Sequence, residues 1–109
     1  MNKMTTISEE TIFQIILHGG DGKSHAMEAI ALAKTGDIEG AEAKLKNAEE
    51  ALNQAHRIQT SLIQEEVRGN NATISLLMVH AQDHLMNSIT VKDLAREFVD
   101  MYKVILKKG

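Results

Sequence analysis

Two histidines and one aspartate stand in the stretch Leu76–Met86, which is otherwise mostly apolar. His80, Asp83 and His84 form the pattern HxxDH. In a helix, which advances about 100° per residue, His80 lies roughly 60° from Asp83 and roughly 40° from His84 about the axis. All three side chains therefore share one face. Because unpaired polar groups are costly to bury, this face calls for a specific explanation.

Four explanations fit this face. His80 can be a nucleophile whose neutral imidazole nitrogen accepts a phosphoryl group while a hydrogen bond holds the other nitrogen. His80, Asp83 and His84 can bind a transition metal, since imidazole and carboxylate one turn apart suit zinc. The polar groups can specify an oligomer interface. They can also be ordinary polar or satisfied core groups, and the pattern alone does not separate these explanations.

Other candidate sites carry weaker signals. The run Gly20–Ser24 superficially resembles a phosphate-binding loop, but it lacks the spacing GxxxxGK[ST] and no strand precedes it. A nucleotide site, and with it a kinase, is therefore rejected. His56 is expected to be a packed or hydrogen-bonded structural residue. His18 and His25 flank the glycine cluster at Gly19–Gly22 and are expected to be exposed.

Composition restricts the class of protein that presents these residues. The 109 residues are the size of one domain, and the net charge of −3 provides no basic surface for nucleic acid. Cys is absent, which removes disulfides, thiolate metal sites and cysteine catalysis. No apolar run approaches the roughly 18 residues of a membrane span, and no signal-peptide pattern is present. A cytoplasmic protein is expected.

The elements that position the histidines are predicted to be three helices. The chain has no Pro and only one Tyr and two Phe, and helix-forming residues dominate. The helices are expected at approximately 8–34, 37–68 and 71–106, with a kink near 19–24 where glycines cluster. Ser8 and Asp37 are candidate N-caps and Gly69 a candidate C′ residue. Thr90 could cap a separate helix, but one long third helix is preferred.

Apolar residues of the second and third segments recur at spacings of three and four. This pattern predicts an antiparallel up-down-up bundle with a left-handed twist. The second segment's expected core positions are Ile38, Ala41, Leu45, Ala48, Leu52, Ala55, Gln59, Leu62 and Glu66. Those of the third are Ile74, Leu77, Ala81, His84, Ser88, Val91, Ala95, Phe98, Tyr102 and Ile105.

The run Val79–Met86, VHAQDHLM, resembles the phosphorylation-site signature of the lactose/cellobiose-type (diacetylchitobiose) enzyme IIA of the phosphoenolpyruvate-dependent sugar phosphotransferase system. The resemblance covers roughly residues 8–106. It includes AMEAI at 26–30, AKTGD at 33–37, and AHRIQT at 55–60 followed by IQEE at 63–66. The order of these motifs strengthens the assignment to one enzyme IIA domain over residues 1–109.

The resemblance implies a homotrimer of three-helix subunits. His80 would carry the phosphoryl group on its Nε2 nitrogen, receiving it from the phosphocarrier protein HPr and passing it to a cysteine of the cognate enzyme IIB. The sugar taken up would be lactose, cellobiose or a similar disaccharide. Three copies of Asp83 would bind one divalent cation, usually Mg²⁺, at the trimer axis, and Gln82 and His84 are possible supporting residues.

One segment departs from the family pattern. Where the family usually shows an Asn-Ala-Arg-Ser-like run, this chain has Asp21-Gly22-Lys23-Ser24 after Gly19 and Gly20. Lys keeps the positive charge of Arg but not its bidentate fork, and the extra glycines are expected to loosen the segment. The rival functions outside the family are a helical metal-binding protein that uses His80, Asp83 and His84, and a purely structural trimeric bundle.

Overall fold

The computed structural model describes residues 7–70 and 72–108, and it shows three helices in them. They are α1 (Glu9–Lys34), α2 (Ile38–Val67) and α3 (Leu76–Lys108). This arrangement confirms the expected all-α fold, including one uninterrupted third helix through Thr90. No helix in the described residues is long and apolar enough to cross a membrane.

Local sequence signals set most of the helix ends. The Ser8 hydroxyl accepts a hydrogen bond from the Thr11 backbone N–H at 3.1 Å, and the Asp37 carboxylate accepts one from that of Gly40 at 2.9 Å. Both expected N-caps are therefore confirmed. The first two helices end before glycines with positive φ, 91° at Gly36 and 94° at Gly69, a conformation that glycine adopts readily.

The third helix begins later than the sequence predicts. It starts at Leu76, where the Ser75 hydroxyl accepts a hydrogen bond from the Met78 backbone N–H at 3.1 Å. The expected start at Asn71 lies outside the described residues, and Ala72 precedes the helix. A serine cap inside an apolar segment is easily missed, because Ser75 lies among residues that continue the apolar pattern.

Contacts between the helices establish the up-down-up order. Glu28 of α1 pairs with Lys44 of α2, and Gln59 of α2 bonds to Gln82 of α3. Gly22 of α1 lies against Leu52 of α2, and Arg96 of α3 bonds to Glu42 of α2. In both pairs of helices the residue numbers therefore rise along one helix as they fall along the other, and α1 and α3 run in parallel. One half of the core, near the histidines, comprises Ile12, Ile15, Leu52, Ala55, Met78, Ala81 and Leu85. The other comprises Ala26, Ala29, Ala33, Ala41, Leu45, Ala48, Ala95 and Val99.

Most of the predicted core positions are confirmed in α2, but fewer are in α3. In α2 six of the nine positions are buried, including Gln59, whereas Ile38 and Leu62 are half-buried and Glu66 is exposed. In α3 the buried residues are Met78, Ala81, Leu85, Ser88, Ala95 and Val99, whereas Phe98 and Ile105 are exposed. The prediction was wrong there because apolar residues surround most of α3, so several stripes compete for the core.

Helix α1 continues without a break through the glycine cluster, so the expected interruption at 19–24 does not occur. Gly19 and Gly22 are buried against other helices. A Cβ atom at position 22 would lie 2.5 Å from Cδ2 of Leu52. Glycine is thus used here for close helix packing, and not to loosen the segment.

Far from the histidines, an ionic cluster joins α2 to α3. The Arg96 guanidinium donates two hydrogen bonds of 2.8 Å to the Glu42 carboxylate, and Lys103 also pairs with Glu42. These two cations lower the pKa of Glu42 to about 2. The bidentate geometry links the two helices more firmly than an isolated surface pair would.

Candidate functional site

The first three turns of α3 position the HxxDH residues. Met78, Ala81 and Leu85 are buried in the core and hold one side of the helix against α1 and α2. His80 and Asp83 are consequently exposed, and His84 is half-buried. The helix therefore presents the His80 imidazole to solvent.

His84 lies between His80 and helix α1. The two imidazole rings are nearly parallel, with planes inclined at 17° and centroids 6.2 Å apart. A Cβ atom at Gly19 would lie 3.3 Å from Cδ2 of His84, and one at Gly20 would lie 3.5 Å from its Nε2. Only the contact at Gly19 is tighter than ordinary, so Gly19 makes room for the His84 ring, which in turn packs beside the His80 ring.

Gln82 points to the other side of α3, toward α2. Its side-chain carbonyl Oε1 accepts a hydrogen bond of 2.7 Å from Nε2 of Gln59. The same nitrogen of Gln59 contacts the thioether sulfur of Met86 at 3.8 Å. Gln82 is therefore held by a neighbouring helix, whereas His80, two residues earlier, makes no side-chain hydrogen bond to residues 7–70 or 72–108.

Asp83 belongs to an exposed and largely apolar line of residues, which we call the outer stripe of α3. The stripe comprises Val79, Asp83, Met86, Thr90, Leu94, Glu97 and Met101, all of them exposed. Its four apolar members are between 49% and 52% exposed. Asp83 takes part in none of the ion pairs formed among the described residues. A carboxylate without a cationic partner thus stands in an apolar surface.

The structure brings the predicted site residues together in one region but not into one metal site. His80 and His84 are neighbours, Asp83 faces outward, and Gln82 faces α2. Within residues 7–70 and 72–108, no three His, Asp or Glu side chains converge on a point where a metal ion would fit. The alternative in which His80, Asp83 and His84 bind a metal within one chain is therefore not supported by the geometry.

Comparison with known proteins shows the family of this chain. Residues 10–103 match the family described as the lactose/cellobiose-specific IIA subunit of the PTS, the sugar phosphotransferase system. The protein belongs to this family. This IIA protein is accordingly a component of a phosphotransferase system.

Relatives and solved structures agree with this membership. The lichenan-specific phosphotransferase enzyme IIA component of Bacillus subtilis is 58% identical over 100 residues, which span 92% of this chain and 91% of the relative. The lactose-specific EIIA component of Staphylococcus aureus is 38% identical over 84% of this chain and 88% of its own length. The cellobiose-specific enzyme IIA from Bacillus anthracis superposes with a TM-score of 0.90 at 51% identity over all of both chains.

One structural neighbour was solved together with another protein. The chitobiose IIA of Escherichia coli, in its complex with HPr, superposes on the IIA protein with a TM-score of 0.77 at 35% identity. The match covers 89% of this chain and 94% of that chain.

Sequence reasoning missed two contributors to this region. Gly19 and Gly20 were expected to loosen a segment, but the helix is unbroken there and Gly19 accommodates His84. The hydrogen bond from Gln59 to Gln82 was also not predicted. The sequence did contain a signal for it, because Gln59 is a polar residue among the core positions of α2. His56 was expected to be packed or hydrogen-bonded and is exposed instead, while His18 and His25, expected to be exposed, are half-buried.

Proposed function

We propose that the protein is a phosphocarrier that accepts a phosphoryl group from phospho-HPr on Nε2 of His80 and passes it to a cysteine of the cognate enzyme IIB. The exposed His80 imidazole on a fixed helix, in a member of the IIA family, is the observation that carries this proposal. The complex of the chitobiose IIA neighbour with HPr supports the identity of the donor. The sugar taken up is lactose, cellobiose or a similar disaccharide.

The chemistry consists of two displacements at phosphorus. In the first, the lone pair of His80 Nε2 attacks, the N–P bond of phospho-HPr breaks, and that electron pair returns to the HPr imidazole. In the second, an IIB thiolate attacks and the N–P bond to His80 breaks, which leaves His80 as it began. Such transfers need positioning and charge stabilisation more than further covalent chemistry.

The working unit proposed here is a homotrimer in which the outer stripes of three α3 helices meet. Half-exposed apolar side chains continue along this stripe for several turns. On α1, Phe13 and Leu17 add further exposed apolar surface. Exposed apolar side chains grouped on one face are typical of a protein interface, and the spacing of three and four suits helix–helix packing.

In a cyclic trimer each copy meets its two neighbours through two different surfaces. His80 lies on the α1 side of the outer stripe and Gln82 on the α2 side, because the two are separated by about 160° about the helix axis. The His80 side of one copy would therefore meet the Gln82 side of the next. Gln82 is proposed to support a phosphoryl group on His80 of the adjacent copy, and His84 to support its own His80 by packing.

Three copies of Asp83 at the axis would place three negative charges together. Such carboxylates repel strongly unless a cation neutralises them, and carboxylate oxygens are hard ligands that suit Mg²⁺. The isolated Asp83 carboxylate on an apolar surface fits this requirement. One Asp83 per chain is proposed to hold a divalent cation, whose chemistry here is structural charge neutralisation. His80 is kept free of metal for phosphoryl transfer.

Phosphoryl transfer tests the proposed function directly. The protein is incubated with phosphoenolpyruvate, enzyme I and HPr, and the phosphoryl group added per chain is measured by intact mass. His80→Ala should take no acid-labile, alkali-stable label, whereas His56→Ala, which removes an exposed histidine of α2, should label normally. Labelling that persists in His80→Ala, or a folded wild type that takes none from competent HPr, would refute the proposal.

A further inference from the structure

Gln59 is a polar residue in the core stripe of α2. It is only 8% exposed and continues the line of Leu52 and Ala55. Its amide nitrogen meets Gln82 Oε1 at 2.7 Å and Met86 Sδ at 3.8 Å. A buried amide is costly unless it is hydrogen-bonded. The Gln59 amide donates its hydrogen bond to Gln82, which lies two positions after His80.

The contact with the Met86 thioether agrees with the direction of this hydrogen bond. A thioether sulfur can accept a hydrogen bond but cannot donate one. The NH₂ group of Gln59, and not its carbonyl, therefore faces Met86, and the same NH₂ group reaches Gln82. Gln82 therefore accepts this hydrogen bond with its carbonyl oxygen. Its own NH₂ group is then turned away from Gln59.

We propose that Gln59 is a positioning residue that acts through Gln82, holding the Gln82 NH₂ group in the orientation that donates to a phosphoryl group on His80 of the adjacent subunit. This inference rests on the proposed function. An unrestrained amide would present either its NH₂ group or its carbonyl oxygen to the phosphoryl oxygens. Donors that are already oriented before reaction stabilise developing negative charge most effectively.

The decisive variant is Gln59→Glu, because a carboxylate only accepts hydrogen bonds. Gln82 would then turn its NH₂ group toward position 59 and its carbonyl toward the phosphoryl group. The rate of transfer from phospho-HPr to His80 is measured in wild type, Gln59→Glu, Gln82→Ala and the double variant. Removing one oriented donor from an oxyanion hole costs about 100- to 1,000-fold in rate. Each single variant is expected to be slowed by about 10- to 100-fold, a smaller effect because Gln82 is one donor to an exposed group.

The double variant distinguishes orientation from other effects. If Gln59 acts through Gln82, adding Gln59→Glu to Gln82→Ala should slow transfer no further, since residues that act as a unit are not additive. An equal slowing in both backgrounds would show that the new charge acts directly or through the fold, and would overturn the inference. So would a wild-type rate in Gln59→Glu.

A second variant covers the case in which a buried carboxylate unfolds the helix pair. Gln59→Met keeps an unbranched side chain but no longer holds the Gln82 amide. It should therefore slow transfer when residue 82 is Gln, and should cause no further slowing when it is combined with Gln82→Ala. Equal rates for Gln59→Met and wild type would overturn the inference. Labelling of His80 in the wild type is verified before any variant is measured. A wild type that takes no label would show that the proposed phosphocarrier function is wrong, and this outcome is distinct from a failure of the inference about Gln59.

Discussion

The imidazole rings of His80 and His84 lie one helical turn apart and nearly parallel, with centroids separated by 6.2 Å. His84 is held from behind by the glycine backbone of α1, where Gly19 leaves just enough room for the ring. In the described part of the chain the His84 side chain makes no hydrogen bond. We propose packing beside His80 as the role of His84.

Replacing His84 should therefore slow transfer through loss of bulk. We expect His84→Ala to reduce the rate of phosphoryl transfer to His80 by about tenfold, because even a small misplacement of a reacting group is costly. His84→Leu, of similar volume, should retain most of the rate. Rapid-quench kinetics with phospho-HPr measures both. A Leu variant as slow as the Ala variant would show that the ring nitrogens matter instead.

Gly22 should be required for stability because Leu52 occupies the space beside it. A Cβ atom there would lie 2.5 Å from Leu52 Cδ2, and Leu52 is 2% exposed, so it has little room to move. We expect Gly22→Ala to lower the free energy of unfolding by about 1–3 kcal/mol, the usual cost of overpacking. Urea denaturation at fixed protein concentration measures this.

Gly20→Ala is the matched control in the same helix. The nearest atom to a Cβ there is His84 Nε2 at 3.5 Å, an ordinary contact. The control should be neutral or stabilised by up to about 1 kcal/mol through helix propensity. If both variants have the same stability, close packing of α1 on α2 at Gly22 is not required.

The ionic cluster at Glu42 should make stability depend on pH. The folded pKa of Glu42 is about 2 against an ordinary 4.5, because Arg96 and Lys103 bind the carboxylate. A carboxyl group with a depressed pKa stabilises the fold above its unfolded pKa, and that stabilisation is lost as the pH falls toward the folded value. The relevant window therefore runs from 4.5 down to about 2.

Glu42→Gln tests this window. The side chain is 34% exposed, and after solvent screening we expect a loss of about 1 kcal/mol of unfolding free energy at pH 7. The difference from wild type should shrink as the pH falls below 4.5. Glu50→Gln, an exposed residue of the same helix, should show no such difference. A constant difference between pH 7 and pH 3 would contradict the linkage.

Asp83 should couple assembly to a divalent cation. We expect the wild-type trimer to weaken when the chelator EDTA removes the cation and to recover with Mg²⁺, because unneutralised carboxylates repel. Asp83→Leu should form a trimer whose stability does not change with EDTA, because an apolar side chain extends the stripe and no carboxylates need neutralising. Sedimentation velocity across protein concentrations reports both. A wild-type assembly indifferent to EDTA and to Mg²⁺ would contradict the proposed axial site.

The amino-acid sequence by itself determined the helical class and the family, and it supplied the residues of the proposed site. Helix caps such as Ser8 and Asp37, and the glycines that follow the first two helices, act through hydrogen bonds within a few residues. The core stripe of α2 was readable because its opposite face is polar. These signals are local, so they do not depend on how the helices pack.

Only the tertiary structure decided which stripe of α3 is buried and what the polar and glycine residues do. Apolar residues surround α3, so periodicity alone could not choose Leu85 and Val99 over Phe98 and Ile105. Gly19 and the Gln59–Gln82 bond acquire their roles from residues more than 20 positions away. Such roles depend on the distances between helices, and a sequence pattern within one helix does not contain those distances.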